Sequence, residues 1–179
     1  MSNEANVTAA KPKVEGAVFV GTSTATLPTD ATSTLTGFTS LGYISEDGLT
    51  NSNSPSTEFI KAWGGDKVLP ITEAREDTFS FTLIEAMSAE VLKVVYGDDN
   101  VTETEGVIKV TSNSTQLESK AFVIDMILRG GKLKRIVIPA GYVTEIGDIT
   151  YSDSDAAGYE ITIQAQEDAS GNTHYEYIA

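Results

Sequence analysis

The chain has 179 residues, 40% of them hydrophobic, with 26 acidic against 12 basic side chains and a formal net charge of −14. That length predicts one domain around one core, and the acidity excludes tight nucleic-acid binding, which draws its affinity from Lys and Arg. The absence of cysteine removes disulfides, thiolate nucleophiles and zinc–thiolate sites together.

No window approaches the roughly 20 apolar residues of a membrane span. Met1-Ser2-Asn3-Glu4-Ala5-Asn6 lacks the basic start and apolar run of a secretory leader, so cytoplasmic synthesis is expected. Residues 1 to 16, small and polar with Pro12, predict an N-terminal arm. Ala17 to Thr22 predicts a strand, and Thr22 to Ser40, dense in Thr, Ser, Ala and Asp, predicts a long loop. A strand follows over Leu41 to Leu49. The segment 50–73 predicts a long inter-strand loop that opens with Thr50-Asn51-Ser52-Asn53-Ser54-Pro55-Ser56 and carries a short strand over Lys67 to Thr72. Thr78, Ser80 and Thr82 alternate with Phe79, Phe81 and Leu83, the period-two pattern of a half-buried strand.

One helix is predicted over about 88–97. Ser88 stands as N-cap, Glu90 favours the dipole, and Leu92, Val95 and Tyr96 share a stripe. Gly97 terminates it, and Met87 is placed to staple onto Leu92. Val107 to Thr111 predicts a further strand. Two apolar runs, Ala121 to Leu128 and Leu133 to Ile138, flank Arg129-Gly130-Gly131-Lys132, a tight-hairpin signal. Strands over Tyr142 to Thr150 and Tyr159 to Ala165 complete an antiparallel β-sandwich or barrel-like core with one flanking helix, long loops and terminal arms. Residues 1–179 form a single domain without internal repeats.

Charge is uneven along the chain. After Arg135 there is no Lys or Arg, while Glu145, Asp148, Asp153, Asp155, Glu160, Glu167, Asp168 and Glu176 all follow it. The basic cluster Lys132, Lys134 and Arg135 suits head-to-tail pairing between copies, against the plainer reading of a solvated acidic surface.

Candidate chemistry is sparse, and no cofactor or metal is expected. The sole histidine, His174, has no cysteine or second imidazole to work with and reads as a surface or packing residue. No G-x-S-x-G, G-x-G-x-x-G or Walker loop occurs. Asp153-Ser154-Asp155-Ala156-Ala157-Gly158 lacks the later ligands of a calcium loop and predicts an exposed turn. Glu76 and Asp77 point to opposite faces of a strand and cannot act as a carboxylate pair. Asp125 interrupts an apolar run. Either it pairs with Lys132, Lys134 or Arg135 across the hairpin or it faces outward. Trp63 beside Gly64-Gly65 reads as a local core plug or an interface anchor.

Four motifs occur in order from Leu41 to Gly97: a Gly42-Tyr43 strand ending in Ser45-Glu46-Asp47-Gly48, the segment Lys61-Ala62-Trp63-Gly64-Gly65, the Phe79/Phe81 strand ending in Ile84-Glu85, and a helix ending in Tyr96-Gly97. In this order the chain resembles the major tail tube proteins of long-tailed bacteriophages. The resemblance implies a structural virion protein and no enzyme. Hexameric rings would stack into a tube, and the sheets would join round each ring to line a channel for genome ejection. It implies lining from the Leu41 to Leu49 strand, with Glu46, and from the Ala121 to Ile138 hairpin; the hydroxyl face of Thr78, Ser80 and Thr82 beside Glu76 is the candidate lining read from the residues. It implies contacts between subunits or rings through the 50–73 loop, with Phe59, Lys61 and Trp63 as candidates; the basic Lys132, Lys134 and Arg135, awkward for a negative lumen, are read from the residues as meeting acidic groups of a neighbour. The implied partners are copies of the chain and other tail proteins, with DNA passing without specific binding. The implied location is the virion tail, with the host cytoplasm during assembly. A monomeric carbohydrate- or surface-binding β-sandwich is the rival, and would present an aromatic platform.

Overall fold

The computed structural model describes residues 2–13 and 16–179; residues 1, 14 and 15 of the expected N-terminal arm lie outside the described residues. The fold is mainly β and antiparallel. Its strands are β1 (Lys11–Pro12), β2 (Val18–Thr22), β3 (Phe38–Ser40), β4 (Ile44–Lys61), β5 (Lys67–Leu83), β6 (Val101–Thr104), β7 (Val107–Val110), β8 (Lys120–Ile127), β9 (Leu133–Ile146), β10 (Tyr159–Ala165) and β11 (Tyr175–Ile178), and the single α-helix among the described residues is α1 (Ala89–Tyr96). Nine strands form one open sheet in the order β3-β2-β8-β9-β10-β5-β4, with β1 added to β8 and β11 to β9; β6 and β7 form a separate hairpin.

The long strand β9 organises the molecule. Its first part pairs with β8 through Ile138↔Phe122 and with β11 through Tyr175↔Val137, and its last part pairs with β10 through Val143↔Ile163. Between them lie Pro139 and Ala140, where the β8 register also shifts. The sheet thereby divides into two layers around one sandwich-like core. That core joins Val18 and Val20 of β2, Phe122 and Ile124 of β8, Phe79, Phe81 and Leu83 of β5, Ile161 and Ile163 of β10, and Val91, Leu92, Val94 and Val95 of α1.

The helix starts after Ser88, whose side chain makes no cap hydrogen bond, and ends at Gly97 with φ 97°. Met87 is 90% exposed, so the expected staple to Leu92 does not form; α1 is held by the apolar stripe it buries. The Gly-Gly hairpin forms as expected: Gly130 and Gly131 take φ 78° and 79°, and Leu128 N–H donates to Lys132 O. The N-terminal arm is tethered. Beyond the β1–β8 pairing, Arg129 N–H donates to Thr8 Oγ1 at 2.8 Å and its guanidinium to Glu4 O at 3.2 Å.

The largest departure concerns 50–73. This segment is a two-stranded arm rather than a loop, because β4 and β5 continue pairing from Asn53↔Asp77 out to Lys61↔Lys67. At about 3.3 Å per residue the arm projects on the order of 30 Å beyond β10, which stops pairing at Thr78. Outside a core neither face must be apolar, so the chain there shows no period-two pattern to read.

Candidate assembly surfaces

Three surfaces carry the residues singled out in the sequence. The first is the outer face of β5 and its neighbours. Thr78, Ser80 and Thr82 lie opposite Gln164, Thr162 and Glu160 of β10, and Thr162 lies opposite Glu145 of β9. On the other side Glu76, Thr78 and Ser80 lie opposite Ser54, Ser52 and Thr50 of β4. The hydroxyls cross-link the strands: Ser80 Oγ and Thr162 Oγ1 are 3.0 Å apart, and Thr144 Oγ1 donates to Thr162 O at 3.3 Å. None of these residues is basic, and Glu76, Glu145 and Glu160 are exposed. Glu46 is exposed too, but it falls in the bulge between Ile44 and Leu49, where the ladder assigns it to no row.

The outer face of the β8–β9 hairpin differs, and the expected lining from Ala121 to Ile138 is corrected. Val123, Asp125, Arg135 and Val137 point outward there but are all buried. The segment 23–37 closes over them: Arg135 Nη1 donates to Asp30 O at 3.1 Å and Ser33 O at 2.9 Å, and Ala31 is buried. Asp125 takes the paired alternative. Its carboxylate receives Arg135 Nε at 2.7 Å and Nη2 at 2.8 Å, with Lys13 Nζ at 3.6 Å. Arg135 is therefore no contact for a neighbour, because a guanidinium 1% exposed is already committed to its own chain. Lys134 pairs with Glu176 of β11 at 2.7 Å. Of the three cations only Lys132, exposed at the turn, is left facing outward.

The second surface is the arm. Phe59 lies across from Pro70 and Ile60 across from Leu69 on opposite faces, so apolar groups occupy both sides of a ribbon with nothing behind it. Phe59, Ile60, Val68, Leu69 and Ile71 are 43–59% exposed, and Trp63 at the tip is 106% exposed, excluding the core-plug reading. Lys67 Nζ sits 4.6 Å from the Phe59 ring centre, while Lys61 is exposed beside the tip. The tip closes through Gly65 N–H to Ala62 O.

The third surface is formed by unpaired strand edges. Strand β4 is terminal in the sheet along all its length, and β9 has β10 on one side of Tyr142–Ile146 but no β8 partner beyond Gly141. Such edges are templates for adding another chain.

A model of the family described as phage tail tube protein matches residues 1–179. The chain belongs to the phage tail tube protein family. No curated protein matches it. For a tail tube protein a structural, non-enzymatic role in the virion tail follows, with assembly with itself and other tail proteins. Among the described residues no helix is long and apolar enough to cross a membrane.

Sequence reasoning missed two polar networks in this tail tube protein. Glu85 clasps the Gly42-Tyr43 turn, with Oε1 accepting Tyr43 N–H at 2.9 Å. Asp77, fully buried on the Phe79 side of β5, accepts from Asn51 Nδ2 at 2.8 Å, Thr173 Oγ1 at 2.6 Å and the His174 ring. Burial alone would push the Asp77 carboxyl up, but the hydrogen bonds from Thr173, Asn51 and His174 hold it below the ordinary carboxylate value. The signal was present in the alternation itself, which places Asp77 on the same face as Phe79 and Phe81.

Proposed function

We propose that the subunits close into hexameric rings and that the rings stack into a tube through which the genome leaves the virion. The observation that carries this reading is the arm: a hairpin with apolar residues on both faces is marginal alone in water and gains stability once covered. Burying its exposed apolar groups with Trp63 would contribute about 5–10 kcal/mol before the cost of association. Phe59, Lys61 and Trp63 are the contacts with a neighbouring subunit or ring, and Lys132 meets an acidic surface of a neighbour.

Within a ring the free edge of β4 joins the free edge of β9 at Tyr142–Ile146 in the next copy. This heterologous contact closes on itself and removes both edges. The face of Glu76, Thr78, Ser80, Thr82, Thr162, Gln164 and Glu160 then lines the channel. Hydroxyls and carboxylates without fixed cations leave DNA no electrostatic hold. Glu46 borders the same face from the β4 bulge.

Size-exclusion chromatography and negative-stain microscopy at rising protein concentration test the reading. Rings or tubes are expected, and a strict monomer under all conditions overturns it. Trp63→Ala is expected to stop polymerisation while leaving the β spectrum intact; normal tubes from that variant remove the arm tip from the joint.

A further inference from the structure

At Asp77 the molecule changes from a layered domain to a bare ribbon. Strand β10 pairs with β5 only as far as Thr78, and beyond it β4 is the only strand that pairs with β5 among the described residues. The last residue of β5 in the buried core on the way to the arm, among the described residues, is Phe79. A two-stranded ribbon leaving a sheet has little to fix its direction except what grips its root.

That grip comes from the C-terminal segment. Asp77 Oδ1 takes Asn51 Nδ2 from β4, while Oδ2 takes Thr173 Oγ1 and His174 Nδ1. The His174 ring stands edge-on to Phe79, with centroids 5.3 Å apart and planes at 88°. The segment is anchored on both sides. Asp168 receives Ser170 N–H, Asn172 N–H and the Tyr175 hydroxyl, and β11 pairs with β9 and carries the Glu176–Lys134 ion pair. A second polar contact lies one step out, where Arg75 Nε donates to Asn53 Oδ1 across the ribbon. A carboxylate buried to 0% exposure would be costly here as a mere core residue. Its donors come from two separate parts of the chain and meet only at the root of the arm.

We propose that Asp77 and His174 are a positioning pair that fixes the arm's direction, so that residues 173–178 brace it against β9. This rests on the reading of the arm as the joint between subunits, and it makes the C-terminal segment a determinant of assembly that touches no neighbour. Loss of the pair leaves the core folded and lets the arm swing, which lowers the fraction of subunits ready to dock.

The test uses the full chain as unassembled subunit. Hydrogen exchange over 50–61 and 67–76 is measured together with trypsin cleavage after Lys61, Lys67 and Arg75, for the parent, His174→Ala, His174→Asn and Asp77→Asn. His174→Ala is expected to speed arm exchange and cleavage about tenfold with β8 and α1 unchanged. The amide of His174→Asn reaches the place of Nδ1 and is expected to restore most of the protection. Equal behaviour of the Ala and Asn variants, or parent-like arm exchange in both, overturns the proposal even if Asp77→Asn fails to fold. The readout precedes assembly, so a parent that never forms tubes refutes the joint while leaving this result standing.

Discussion

Glu85 and Gly42 are built around one another. The Glu85 carboxylate accepts the Tyr43 N–H at 2.9 Å and fills the space over Gly42, where an added Cβ would lie 2.0 Å from its carboxyl carbon. Gly42 also has φ 74°, which side chains disfavour. Two motifs whose contact residues, Tyr43 and Glu85, lie 42 positions apart thus form one clasp, closing the start of β4 on the end of β5. Gly42→Ala is expected to cost about 1–3 kcal/mol in urea denaturation. Adding Glu85→Ala to it costs less than the sum of the two single changes, because the clash disappears with the carboxylate.

Arg135→Ala is expected to destabilise the domain by about 3–5 kcal/mol, since it strands the buried Asp125 and frees the carbonyls of Asp30 and Ser33. Arg135→Met combined with Asp125→Leu recovers most of that loss, because no buried charge is then left unpaired. Thermal and denaturant unfolding of the three proteins checks both statements. Limited proteolysis follows release of the segment 23–37 in Arg135→Ala.

Acid stability reports on Asp77. Its folded carboxyl titrates below the ordinary 3.8, so the unfolded chain binds the proton first as the pH falls. The stability this group contributes is present above 3.8 and is lost as the pH drops through its lower folded value. Asp30 and Asp168 are lowered as well, each by local hydrogen bonds, and titrate in the same direction. Comparing Asp77→Asn with the parent isolates the Asp77 part. The variant is expected to lose less stability than the parent as the pH falls below the ordinary carboxylate value, by urea midpoint at each pH.

Removing the arm separates folding from assembly. Ser54 and Glu76 are paired, so an Asn-Gly turn can join them in place of residues 55–75. Stability is expected to change by no more than about 1 kcal/mol, because no core residue is removed. Polymerisation is expected to vanish in sedimentation at concentrations where the parent forms tubes.

What the sequence disclosed follows from where its residues meet the core. The alternation of Thr78–Leu83 and Tyr159–Ala165, the stripe of α1 and the Gly130-Gly131 turn are all written by burial or by positive φ, and each was legible. The ribbon over Asn53–Lys61 was not, because strands that pack on nothing within their own subunit carry no pattern. Asp125 was legible as a charge that either pairs across the hairpin, with Arg135 among its possible partners, or faces outward; what was not legible is the rest of the site, since the carbonyls of Asp30 and Ser33 that complete it come from a loop about a hundred residues away. The hydroxyl face of β5 was visible, but its continuation through Thr162 and Glu160 depended on strand order.

The course of β9 bears on how such a wall would carry load. One continuous strand enters both layers, passing Pro139 and Ala140 where its β8 register shifts, so the layers are tied covalently as well as by side-chain packing. A tensile or bending force applied to one layer passes along peptide bonds into the other. Shear between the two then has to rupture backbone ladders on both flanks of β9 before any slip occurs.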